Sequence, residues 1–162
     1  MENVIFRKAR YEDMEKIMTL ITEVFSGEQS IPKDLIPIPE EMSPQWWCAE
    51  NNGIIVGSVA LFWDQGTWHM GRFAVSPEQR GKHLGSRLIK TALRDIFSSG
   101  IQEICCEARD TTVHIIKKYG GEVTGKAVPF YEGTVTPMIL RLGSYTDADD
   151  LLFCKELGKI HD

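Results

Sequence analysis

Three strand-forming runs joined by two tight turns, and a glycine-punctuated turn leading out of the third, restrict this chain more than any other feature. The runs "WWCAE", "IIVGSVALFW" and "TWHMGRFAV" are rich in β-branched and aromatic residues. Between them, Asn51-Asn52-Gly53 and Asp64-Gln65-Gly66 tolerate the positive φ that short hairpins need. They predict an antiparallel meander. Beyond the third run, Leu84, Leu88, Ala92 and Ile96 stack with Ile89, Leu93 and Phe97 at helical spacing until Ser98-Ser99-Gly100 stops the pattern. A long helix packed on the meander is the expectation.

The flanking sequence extends this plan. "VIFRKA" reads as a first strand, and Met14, Ile17, Met18, Ile21, Val24 and Phe25 recur as one face of a first helix, with Glu12 and Asp13 favouring its N-terminus. Pro32, Pro37, Pro39 and Pro44 forbid a long helix in the next segment and predict an irregular flap that could close over a site. "IQEICCEA" reads as a buried strand, residues 112–119 as a shorter helix ending at Gly120-Gly121, and "EVTGKAVPFYEGTVTPMILRL" as two closing strands around Gly133. The order predicts a mixed α/β, α+β-like fold with one mostly antiparallel sheet of about seven strands flanked by helices. With 162 residues the chain is expected to form a single domain over residues 1–143. Residues 144–162 would be a helical tail with Asp147, Asp149 and Asp150 at its head.

Charge and cysteine usage remove several function classes. Eighteen Lys plus Arg against 23 Asp plus Glu give a net charge of −5, so nucleic acid and anionic membrane are not expected partners and any anion must be captured locally. There is no run long enough to span a membrane and no basic, apolar leader at the N-terminus, which predicts a cytoplasmic protein. Cys48, Cys105, Cys106 and Cys154 form no C-x-x-C pair, so reduced thiols and no metal are expected.

The local anion site is the turn "SPEQRGKHLGSR". A turn between a strand and a helix gathers unpaired backbone N–H groups where the positive end of the helix dipole adds to them. Gly81 and Gly85 allow angles and close approach that a side chain would block, while Arg80 and Lys82 add charge. A phosphate or pyrophosphate fits, although an ordinary turn into a helix has the same outline. A P-loop does not fit, because Lys82 precedes Gly85 instead of following it, and the dinucleotide pattern G-x-G-x-x-G is absent.

"VSPEQRGKHLGSRLI" resembles the signature of the GCN5-related N-acetyltransferase (GNAT) superfamily: Arg or Gln, two residues, Gly, one residue, then Gly or Ala. The order of elements resembles that family along nearly the whole chain. The resemblance implies acetyl-CoA as acyl donor, with Phe73, Ala74 and Val75 pairing to its pantetheine arm. Gln79, Arg80, Gly81, Lys82, His83, Leu84, Gly85 and Ser86 would surround the pyrophosphate. The chain departs from the pattern at His83, where the family usually has Gly. "ARDTTVHIIKKYGGEV" is similar to the family's second motif, with Asp110 where a cofactor-contacting Asn is frequent and Ile116 where a Tyr often protonates the leaving thiolate. Tyr119 falls at a core position.

The implied reaction is direct attack of an amine on a thioester, which needs a neutral amine, donors for the developing oxyanion and a route for the proton. The family often places a Glu ahead of the pantetheine-binding residues, and His69 occupies that position; period-two counting sets His69, Gly71 and Phe73 on one strand face. An imidazole can take the proton directly or through water. Tyr131 could replace the missing acid, and Glu28, Gln29 and Glu132 could orient an acceptor at the two rims of the cleft. The expected activity is N-acetyl transfer to a primary amine of a small molecule or peptide. A cofactor-sensing module with little turnover remains the alternative, and a homodimer is compatible with either.

Overall fold

The computed structural model describes residues 3–145, so the expected tail helix and Cys154 lie outside the described residues. One sheet of eight strands organises them: β1 (Val4–Lys8), β2 (Gln45–Asn51), β3 (Ile54–Asp64), β4 (Thr67–Val75), β5 (Glu103–Ala108), β6 (Glu122–Val123), β7 (Val128–Pro129) and β8 (Thr134–Arg141). The spatial order is β1-β2-β3-β4-β5-β8-β6, with β7 also pairing β8. All neighbours run antiparallel except β4 and β5. The meander forms as the turn residues dictate: Asn52 and Gly53 have φ of 52° and 82°, and Gln65 and Gly66 have 51° and 80°. Eight strands stand where about seven were expected, because the closing segment divides into the short β6 and β7 before β8.

Helices cover both faces. On one side α2 (Leu84–Ser98) buries Leu84, Leu88, Ile89, Ala92, Leu93, Ile96 and Phe97, the full stripe read from the sequence. All but Leu84, which packs with Ala49 and Val56, meet Val59 and Leu61 of β3 and Met70 of β4, joined by Ile116 of α3 (Asp110–Lys118). Each fully buried Leu, Ile or Phe contributes about 1.5–3 kcal/mol relative to exposure, so this stripe is what holds α2 to the sheet. On the other side α1 (Met14–Thr22) sets Ile17, Leu20 and Ile21 against Trp46, Cys48, Ala60 and Ala74.

Helix α1 runs on into a π-helical turn, Glu23–Glu28, at the head of the proline-rich flap. The flap is irregular, as its prolines predict, and holds two short 3-10 turns, Lys33–Leu35 and Glu40–Met42. It is anchored, since Ile31 and Ile36 are buried in the α1-side core. At the other end of α1, Arg7 of β1 ties down the helix start: its Nη1 donates to Asp13 at 2.7 Å and its Nη2 to the second oxygen at 3.0 Å.

Candidate active site

The sheet opens at its middle. Strands β4 and β5 are parallel, and their register consists of the single pair His69 and Cys105. Past that pair β4 runs on to Val75 and β5 to Ala108, and a cavity of about 420 Å³ lies between them, walled by Met70–Phe73, Cys106–Arg109 and the flap residues Ile31, Leu35 and Ile36. The edge of β4 that faces β5 therefore has no strand partner over Arg72 to Val75, although the Val75 carbonyl accepts from Arg80 Nε at 3.1 Å.

A bulge in β4 shapes this opening. Ala60 pairs with Gly71 but Ser58 pairs with Ala74, so two steps on β3 match three on β4. Arg72 takes up the extra residue at a φ of 52°. Its Nε donates to the Ile36 carbonyl at 2.8 Å and Nη2 to the Leu35 carbonyl at 3.1 Å, which pins the flap to the strand. The bulge also corrects the simple alternation. Gly71 stays on the α1 face, in contact range of Phe62, whereas Phe73 is turned to the α2 face and packs against that core. His69 and Phe73 consequently do not share a face.

The basic turn follows directly. After the 3-10 turn Pro77–Gln79, Arg80 is extended, Gly81 has a φ of 81°, and His83 stands at φ 61°, ψ 18° immediately before α2. The imidazole is exposed, and the left-handed backbone at that position is one for which Gly is the default and His among the tolerated types. A Cβ on Gly85 would come 2.6 Å from the Phe73 ring, so the first turn of α2 can approach β4 only with glycine there. The Leu84, Gly85 and Ser86 amides of that first turn have no intrahelical partners, and the Arg87 amide, the first with one, donates to the His83 carbonyl. Ser86 Oγ lies 2.9 Å from the Tyr119 hydroxyl, which donates to the Ser86 carbonyl at 3.0 Å, so Tyr119 is a buried brace of the turn. Gln79 Oε1 is buried without a hydrogen-bond partner, Lys82 is exposed, and Asp110 is the exposed first residue of α3.

A strap crosses the cleft. Glu28 receives two hydrogen bonds from Arg80, at 2.8 and 3.0 Å, and two residues later Ser30 donates to Glu132 at 2.8 Å. Gln29 between them lines the cavity. The flap is thus tied to the basic turn through Glu28 and to the β7–β8 connection through Glu132, and neither carboxylate lines the cavity itself.

His69 also lines the cavity, stacked on Phe62 with ring centres 5.6 Å apart, and its Nε2 lies 3.2 Å from the Asp64 carbonyl oxygen. Tyr131 is different. It is exposed, with a φ of 51°, and packs edge-on to Phe130, the residue of that pair that lines the cavity. Cys106 in the cavity wall is a protonated thiol, because burial pushes its pKa up to about 12. Such burial makes it a poor nucleophile. Among the described residues no group of three His, Cys, Asp or Glu side chains is placed to hold a metal ion, and no helix is long and apolar enough to cross a membrane.

The model of the acetyltransferase (GNAT) family matches residues 12–125. The chain belongs to the GNAT acetyltransferase family. The solved structures agree in fold. Escherichia coli ElaA superposes with a TM-score of 0.71 at 15% identity, covering 86% of this chain and 99% of that one. An acyl-CoA N-acyltransferase from Pseudomonas aeruginosa gives 0.70 at 17%, again with 86% and 99% covered. A GNAT-family acetyltransferase from Streptococcus pneumoniae gives 0.71 at 19%, with the same coverage. No curated protein matches the sequence.

Ile116, expected to stand in place of an acidic tyrosine, is completely buried in the α2-side core. Tyr119 is buried as well, so neither position offers a hydroxyl to the cleft. The two guanidinium groups that line the cavity escaped the sequence reading. Arg72 was hidden because a bulge residue in a strand has no composition signal. Arg109, the residue before α3, carried only the weak mark of a charge at the end of an apolar strand.

Proposed function

We propose that this GNAT protein is an N-acetyltransferase of the cytoplasm that moves an acetyl group from acetyl-CoA to a primary amine of a small molecule or peptide. The observation that carries this reading is the continuity of two features. The unpaired edge of β4 at Phe73–Val75 runs straight into the left-handed turn at Gly81 and His83 and the bare N-terminus of α2. A ligand with a row of amides followed by a pyrophosphate matches that sequence of surfaces. The fit is supported by Gly81, whose missing Cβ would meet nothing within 4 Å, and by Gly85, whose missing Cβ lets the helix close on Phe73.

In this reading Phe73, Ala74 and Val75 hold the pantetheine arm and residues 79–86 hold the phosphates. The donor supplies an activated acyl thioester. His69 receives the proton from the attacking amine, with Phe62 beneath the ring and the Asp64 carbonyl beside Nε2 to set its orientation. The wall of Ile31, Ile36 and Phe73 keeps water from the reacting end. Water protonates the departing thiolate, because Ile116 supplies no acid.

The test pairs a calorimetric titration of acetyl-CoA with an assay of free thiol release across polyamines, aminoglycosides, amino acids and peptide N-termini. Micromolar binding competed by coenzyme A but not by ATP, together with acceptor-dependent thiol release, is expected. Binding without release for every acceptor would make the chain a sensor. Failure of acetyl-CoA to bind would end the acyltransferase reading.

A further inference from the structure

The Arg109 guanidinium is a cation set into the cleft without an anion. Arg109 follows β5 directly and precedes α3, and its side chain forms part of the cavity wall. Its Cζ stands 5.3 Å from the centre of the Phe130 ring, and its Nη1 lies where a Cβ on Gly133 would be only 2.5 Å away. An aromatic face and a bare backbone therefore hold the planar group in place from two sides. Nη2 is buried with no hydrogen-bond partner, and no carboxylate among the described residues pairs with it. A guanidinium cannot shed its charge by losing a proton at any ordinary pH, so an orphaned buried donor of this kind is costly to keep. Burial lowers its pKa, as that cost requires.

Three observations say what would complete it. The cavity of about 420 Å³ suits a small molecule, and no residue of the 79–86 turn lines it, so Arg109 stands apart from the surface assigned to phosphates. The other guanidinium in the wall, that of Arg72, is already engaged with the Leu35 and Ile36 carbonyls. Asp64 and Glu107 also line the cavity, and their carboxylates give it negative charge that suits an ammonium group. The wall therefore carries two guanidinium groups, of which only that of Arg109 has no hydrogen-bond partner, and two carboxylates.

We propose that Arg109 selects the acceptor, and that the acceptor is a small molecule carrying a carboxylate as well as its primary amine. Arg109 binds the carboxylate and leaves the amine toward the acyl donor. This rests on the acyltransferase reading of the cleft, and it places amino acids and their close relatives ahead of polyamines and aminoglycosides.

The experiment uses the full chain saturated with coenzyme A and titrates it with N-acetyl amino acids, the matching N-acetyl amino acid amides and N-acetylputrescine. The parent is expected to bind at least one acid about tenfold or more tighter than its amide, the range of one charge-assisted contact. Arg109→Gln should erase that preference, Arg109→Lys should keep part of it, and coenzyme A affinity should stay within about twofold in both. Ligand-free Arg109→Gln should melt at or above the parent, since a charged group with a buried, unpartnered Nη2 is gone. Acetylation rates for the free acids and amides should show the same ratio. Equal binding of acids and amides by the parent, preference for N-acetylputrescine, or a large loss of coenzyme A affinity in Arg109→Gln would each overturn the proposal, the last while leaving the transferase reading intact. If coenzyme A does not bind the parent, the transferase reading falls by itself, and the same acid and amide comparison on the unloaded chain decides the role of Arg109.

Discussion

Arg80 reaches from the basic turn to Glu28 on the flap, its Nη1 2.8 Å from Oε1 and its Nη2 3.0 Å from Oε2, while its Nε donates to the Val75 carbonyl at 3.1 Å. The side chain that composition assigns to a phosphate is thus engaged with a carboxylate and with the strand edge assigned to pantetheine. Both partners are well exposed, and exposed pairs of this kind are worth only about 0.2–1 kcal/mol. A bound polyanion can displace Glu28 at small cost.

The first prediction follows from that competition. Glu28→Gln should tighten acetyl-CoA binding a few-fold, because Arg80 is no longer shared. Arg80→Ala should weaken it by about 1–3 kcal/mol, with the backbone amides supplying the rest. Titration calorimetry of both variants and of the double variant measures the coupling; additive effects would mean that the pair is irrelevant to the donor.

Gly85 and His83 make opposite predictions within one turn. Gly85→Val forces a branched side chain into the Phe73 ring, 2.6 Å from the Cβ position, so stability should fall by about 1–3 kcal/mol and acetyl-CoA affinity with it. His83→Gly removes a side chain from a left-handed residue at φ 61° and should leave affinity intact while changing stability by no more than about 1 kcal/mol, toward the stable side. Urea denaturation and a donor titration on each variant check both. A Gly85→Val protein that binds acetyl-CoA like the parent would remove the turn from the site.

His69→Ala should lower kcat/KM by about 10² to 10⁴ and flatten the rising acid limb of the pH profile, with little change in acetyl-CoA affinity. One acceptor must serve for both proteins, because deprotonation of the amine itself gives a rising limb. A variant that keeps the parent's rate and limb returns His69 to a structural role on Phe62.

Asp13 predicts an acid-side loss of stability unconnected to catalysis. The Arg7 guanidinium, aided by the Arg10 amide, holds the Asp13 carboxyl far below its usual value of 3.8, against the opposing effect of burial. A depressed folded-state pKa means that the stabilisation is complete above about pH 4 and is lost as pH falls below it. Asp13→Asn should therefore cost about 1.5–3 kcal/mol at pH 7 and show a shallower fall in Tm in acid. A parallel fall in parent and variant would assign the acid sensitivity elsewhere.

What the sequence by itself determined was everything carried by short-range periodicity and turn chemistry. The meander, the seven-residue stripe of α2 and the left-handed turn ahead of it depend on neighbours within a few positions, and local sterics settle them before the chain meets itself. His83 illustrates this: the need for a positive φ was legible from the motif, and the residue meets it. Tertiary structure alone decided the cleft. The divergence of β4 from β5 after His69 and Cys105, the Arg72 bulge that sends Phe73 to the other face, and the strap from Arg80 through Glu28 to Glu132 join residues as far apart as Ser30 and Glu132. The orphaned guanidinium of Arg109 belongs with them, since a charge reveals that it lacks a partner only when every element that could supply one has been packed around it.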